Sequence, residues 1–259
     1  MQTSWPNSKK CSVVDSQKSF SATIGMLGLL WVLGLPFSAQ ASLTTDIQQQ
    51  IQSRKSSDFK VLLKRLESNY GSRAVDPLLR LANDTRLSDP DRYIALMGSA
   101  KIGGKGIAPR ILPFLKDSSW MIRNGALRAL SVLKDPRTGP GVLKLLQDPA
   151  LVVRLEAVAA VESLRPSDAA PALVRAIHDK ANYHGDKAQW VPLRALQALE
   201  KIGNRAIAQK LTLLLDRHQD PALLQQTIKT LEKLTGKKVE SGRPLRVKAA
   251  GWKRELARM

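Results

Sequence analysis

The residue types best suited to chemistry are sparse here. The chain of 259 residues holds three histidines and one cysteine. His178, His184 and His218 fit neither HxxxH nor HExxH, the spacings that bring two imidazoles to one zinc ion. A single thiol, Cys11, excludes a disulfide framework and a cysteine-built zinc site. No Gly-x-Ser-x-Gly nucleophile elbow occurs, and Gly103-Gly104-Lys105-Gly106 lacks the spacing of a phosphate loop and reads as a turn. The pattern predicts no catalytic residues, no metal ligands and no cofactor.

Binding is better provided for. Forty-one Lys and Arg against 22 Asp and Glu give a net charge of +19, which suits an anionic partner. Arg92, Arg123 and Arg154 stand 31 residues apart. They are either a row of surface cations or, the preferred reading, an internal ion ladder with Asp117 and Asp148, each six residues ahead of its arginine. Between Lys180 and Trp190 the chain gains Tyr183, His184 and Trp190 in an otherwise aromatic-poor sequence. This segment is a binding loop, or else a solvated extension whose Trp190 packs on the next helix. Residues 236–259 hold eight basic and two acidic residues, with Trp252, Leu256 and Met259 at helical spacing. That basic tail either touches an anionic membrane or a partner groove, or folds back so that Trp252 caps the body.

A repeat positions these groups. Ala126–Leu133 (ALRALSVL) recurs at Ala157 and Ala195, and more loosely at Ala95 and Thr227, with steps of 31, 31, 38 and 32. A second column, Ile102, Leu133, Leu164, Ile202 and Leu234, keeps the same steps through the seven-residue insertion. Ahead of these run Pro109, Pro140 and Pro171, then Leu115, Leu146 and Ile177, then Asp117, Asp148 and Asp179. Each unit is two short helices joined by a turn. The spacing i, i+3, i+4, i+7 of Ala126, Ala129, Leu130 and Leu133 marks one apolar helix face. Proline in the first turn of the leading helix is tolerated because its missing N–H has no intrahelical role there. Asp148-Pro149 and Asp220-Pro221 read as N-caps followed by proline. Phe59, Leu62, Leu63 and Leu66 predict an N-terminal capping helix, with a short polar helix over 46–52 before it.

Helix pairs of this length, as in Leu115–Leu133 (LKDSSWMIRNGALRALSVL) and Leu146–Leu164 (LQDPALVVRLEAVAAVESL), resemble HEAT repeats, and in particular the short HEAT-like repeats of phycobilisome lyases. The sequence departs from that pattern at Leu224 and at Pro192, where an arginine would fall. The resemblance implies an all-α, right-handed α-solenoid of about five HEAT-like helix pairs over 72–235. Capping helices over 42–71 would precede it and the tail over 236–259 would follow. It also implies that second helices line the concave side. Arg128, Glu156, Arg194, Gln197 and Lys229 would then be exposed there, and with Tyr183, His184 and Trp190 they are the candidate partner-binding residues.

Residues 22–35 are uncharged and apolar, follow Lys9, Lys10 and Lys18, and precede Ser38-Ala39-Gln40-Ala41. This is the pattern of a signal peptide over 1–41, and the run is shorter than the roughly 20 residues a membrane span needs. Cleavage near Ala41 would remove three lysines and one aspartate, leaving a charge of +17 and no cysteine. The expected place is periplasmic or secreted. The expected partner is a protein of the cell envelope. The alternative is electrostatic adhesion to lipid head groups, lipopolysaccharide or nucleic acid, and export argues against the last.

Overall fold

The computed structural model describes residues 37–53 and 59–259, with side chains from Ser42 onward. The apolar leader over 22–35 lies outside the described residues. None of the described helices is long and apolar enough to cross a membrane.

The chain folds into α-helices and short 3₁₀ segments, with one two-stranded hairpin. Two helices lead. α1 (Phe37–Gln52) buries Ile47 and Ile51, one turn apart, and packs against the two helices that follow α2 (Phe59–Tyr70). Residues 46–52 are therefore part of a longer docked helix rather than a polar lead-in, and that helix runs through Ala41.

Five helix pairs follow. The first is α3 (Val75–Asn83) with α4 (Asp89–Gly103). In the second, α5 (Ala108–Ile111) continues as 3₁₀ to Lys116 before α6 (Trp120–Leu133). In the third, α7 (Gly139–Lys144) continues to Gln147 before α8 (Leu151–Leu164). The fourth joins α9 (Ala169–His178) to α10 (Trp190–Ile202) across the hairpin. The fifth joins a 3₁₀ segment, Arg205–Asp216, to α11 (Pro221–Thr235). Pro109 and Pro140 occupy first-turn positions of α5 and α7. Pro113, lacking an N–H, sits where α5 tightens into 3₁₀.

The second helices stack in chain order, α4 on α6 on α8 on α10 on α11. Ala95, Ala126, Ala157, Ala195 and Thr227 are all fully buried at the contacts. A methyl or hydroxyl at this column lets neighbouring backbones approach, while Leu96, Leu127, Val158, Leu196 and Ile228, buried beside it, fill the seam. A single core runs from Ile47 to Leu256. This is an all-α solenoid, in which each layer is stabilised by its neighbours.

The last 24 residues are ordered onto the body. Gly236, at φ +71°, ends α11 by donating its N–H to the Glu232 carbonyl. α12 (Leu245–Ala257) then returns against α11 and the 205–216 segment. Trp252 is fully buried and Ala249 and Leu256 nearly so. The apolar face of the tail thus caps the final repeat and is not free to enter a membrane.

Candidate functional site

The three repeated arginines point inward, and their partners lie one repeat further along. Arg92 pairs with Asp117. Arg123 binds Asp148 through Nε at 2.7 Å and Nη2 at 2.9 Å. Asp117, six residues ahead of Arg123, offers that arginine only its backbone carbonyl, at 2.8 Å. The ladder is therefore internal, as expected, but its repeated step runs between repeats, with Asp89 of the same helix adding a contact to Arg92 at 3.4 Å. The Asp148 carboxylate is held by Arg123 and by the Ala150 N–H, so Ala150 and not Asp148 is the N-cap of α8. Asp220 does cap α11, accepting from the Leu223 N–H.

The insertion finishes this ladder. Among the described residues Arg154 meets no carboxylate. Its Nε donates to Asn182 Oδ1 at 2.7 Å and its Nη2 to the Ala181 carbonyl. Buried Asn182 in turn donates to the Ala176 carbonyl. At the next step Pro192 replaces the arginine, and the Ala188 N–H of the hairpin donates to Asp220 Oδ2 at 2.7 Å instead. The hairpin pairs Tyr183 with Ala188 and His184 with Lys187. Gly185, at φ +59°, opens its two-residue turn. Tyr183 is turned inward, donating to the Ile177 carbonyl, and the Arg217 guanidinium lies 4.8 Å from its ring centre. Burial raises its pKa. His184 remains exposed at the tip.

The exposed surface of the second helices is organised in stripes. On α10, Trp190, Arg194, Gln197 and Lys201 fall at i, i+4, i+7 and i+11, one helix face. On α6 the same face carries Trp120, Asn124 and Arg128, and on α8 it carries Val152 and Glu156. Trp190 is 68% exposed, Trp120 48% and Val152 44%. Trp190 therefore does not pack on the next helix. These three are exposed at the starts of α6, α8 and α10. Met121, next to Trp120 in sequence, lines an open groove of about 500 Å³ with Phe59, Tyr93 and Ile94.

Beyond these residues the stripes become ionic. Arg194 bridges to Glu162 at 2.8 Å, Lys201 also pairs with Glu162, and Lys229 lies 3.7 Å from Glu200. Glu156 sits half-buried near Arg128 and Arg194, and burial outweighs their pull to raise its pKa. Burial also opposes ionisation of Glu162, but the Lys201 hydrogen bond and the charge of Arg194 prevail and lower its pKa. The carboxylates lie low, with 14% of the Glu162 side chain and 12% of that of Glu200 exposed, against 57% for Lys201 and 61% for Lys229. Arg128 is exposed and makes no ion pair among the described residues. An approaching molecule meets the cations first.

Sequence reasoning picked out Arg128, Glu156, Arg194, Gln197, Lys229 and Trp190, all on this face, but missed Trp120, Val152, Glu162 and Lys201. The helical spacing of Trp120 to Arg128 was the signal available. Among the described residues no group of His, Cys, Asp or Glu is placed to hold a metal ion. His178 Nε2 lies 3.0 Å from the Lys210 carbonyl.

The sequence profile of HEAT repeats matches residues 75–162 and 109–185. Residues 75–185 are HEAT repeats. The matched span runs from α3 to the turn of the hairpin, and the later pairs continue the same stack. Among solved structures the chain is similar to the complex of CpcE and CpcF of phycocyanin lyase from Nostoc sp. PCC7120, with 16% identity and a TM-score of 0.34, over 91% of this chain and 100% of that one. No curated protein matches the chain.

Proposed function

We propose that this HEAT-repeat scaffold is a non-catalytic binding protein of the cell envelope, and that a protein with an acidic surface docks on its second-helix face. The observation that carries this reading is the exposure of Trp120 and Trp190 on the same helix stripes as Arg128 and Arg194. Tryptophan and arginine are the side chains that most often dominate protein–protein binding energy. Exposed aromatic rings in a row cost solvation unless a partner covers them. The outer layer of Arg128, Lys201 and Lys229 favours a negatively charged counterpart. The basic leader, apolar stretch and Ala-x-Ala sequence support export.

The test is capture of envelope proteins on immobilised chain at low and high salt. A discrete protein should be retained at high salt by the unaltered chain. It should be lost with Trp120→Ala/Trp190→Ala and released more readily by salt with Arg128→Ala/Arg194→Ala/Lys229→Ala. Equal capture by all three chains would reject this face as the docking surface.

A further inference from the structure

Because α12 spends its apolar face on the last repeat, its other face is the outer end of the stack. That face reads Arg246, Ala250, Arg254 and Arg258, four residues apart and all exposed, and exposed Arg243 precedes it across Pro244. At 1.5 Å per residue, Arg246 to Arg258 spans roughly 18 Å. The carboxylates of the region are engaged beside this stripe: Glu255 by Lys237 and Asp216 by Lys253. Arg254 contacts Glu240 at 3.2 Å, in a pair whose arginine side chain is 61% exposed. Among the described residues Arg243 and Arg246 make no ion pair, while Arg258 adds its charge to the Lys237 hydrogen bond that lowers the Glu255 pKa.

We propose that this arginine stripe seats the C-terminal end of the solenoid on a bilayer bearing anionic phospholipid. The four cations are guanidiniums, which bind phosphate oxygens two at a time. Arg246 and Arg254 lie on α12, Arg258 is its C-cap and Arg243 stands just before its Pro244 N-cap, so the four exposed cations gather at the outer end of the stack. A nucleic acid is a poorer match, since the stripe has no aromatic ring on which a base could stack and sits on a convex helix rather than in a channel. Trp252 and Leu256 are buried in the body. Attachment is therefore electrostatic, without insertion, and reversed by salt. This inference is independent of the protein-docking face.

The test is co-sedimentation of the full chain with phosphatidylcholine vesicles, with and without phosphatidylglycerol, at low and high salt. Neutral vesicles report any contribution of the apolar stretch over 22–35. Each basic residue near an anionic surface contributes about fivefold in affinity, equivalent to about 1 kcal/mol. Arg246→Ala/Arg254→Ala/Arg258→Ala should therefore lose roughly a hundredfold of the anionic-specific binding while keeping its helix content and melting temperature. Lys116→Ala/Lys144→Ala/Arg175→Ala, which removes three exposed cations from the first-helix layer, should keep that binding. The proposal is overturned if the chain shows no preference for anionic vesicles, or if both triple variants weaken equally. Tighter binding to a DNA duplex than to vesicles, lost in the α12 variant, would overturn it too.

Discussion

Replacing Arg123 by alanine should open the joint between the second and third helix pairs. Arg123 gives Asp148 two charge-assisted hydrogen bonds and gives two further ones to the Asp117 and Ser118 carbonyls. Only 12% of its side chain and 5% of that of Asp148 are exposed. Removing the cation strands a carboxylate in a poorly solvated place, a change that costs about 3–5 kcal/mol in buried pairs. The Ala150 N–H still reaches Asp148 at 2.9 Å, so the lower end applies, about 3 kcal/mol. For a domain of this size that lowers the melting temperature by roughly 6–12 °C. Urea unfolding followed by far-ultraviolet circular dichroism measures it, alongside Asp148→Ala and the double variant. Arg110→Ala is the comparison. Its bridge to Asp76 is equally short, at 2.7 Å, but about half exposed, and should cost less than about 1 kcal/mol. The double variant should be much less damaged than the sum of its parts, since neither charge is then left alone. Equal small losses for Arg123→Ala and Arg110→Ala, or a coupling near zero, would refute the ladder as a determinant of stacking.

Other expectations concern the ends, the turns and pH. Trp252→Ala should cost about 3–5 kcal/mol and release amide protection in α11 and α12 first in hydrogen exchange, whereas Trp190→Ala should shift stability by no more than about 0.5 kcal/mol. Lys134 and Arg165, 31 residues apart at the ends of α6 and α8, sit at φ +52° and +48°. Glycine at either should raise stability by up to about 1 kcal/mol in thermal melts, because the left-handed region penalises a β-carbon. Glu162 titrates below its ordinary value of 4.5, so its stabilisation is complete above that pH and is lost as pH falls from there through the folded value. Glu156 is raised, so its strain at neutral pH is relieved on acidification. Urea midpoints across pH 3–7 should show Glu162→Gln flattening the acid loss and Glu156→Gln steepening it.

The stack was legible because its constraint is local and periodic. An alanine column keeping step through an insertion demands helix-on-helix contact, and all five of its members are buried. The direction of the ion ladder was not legible. With a period of 31, an aspartate six residues before an arginine recurs 25 residues after it, and spacing alone makes the two equivalent. Geometry separates them, since the six-residue neighbour can reach with its carbonyl while its side chain faces the previous repeat. Trp190 was ambiguous for another reason. Whether a helix-opening tryptophan turns in or out depends on the loop before it, and here the hairpin fills that space with Tyr183 and Asn182. The fate of the tail was equally a matter of tertiary contact, since an amphipathic helix docks as readily on a last repeat as on a lipid surface.

The exchange of Pro192 for an arginine and the hairpin that feeds Asp220 are one invention in two pieces. Excising the seven extra residues would take away the Ala188 N–H that Asp220 receives from the preceding layer, the place an arginine at 192 would otherwise fill. A homologue without the insertion should therefore carry the arginine. Anyone shortening or grafting this repeat must move both changes together, as a spliced cassette rather than a loop and a point substitution.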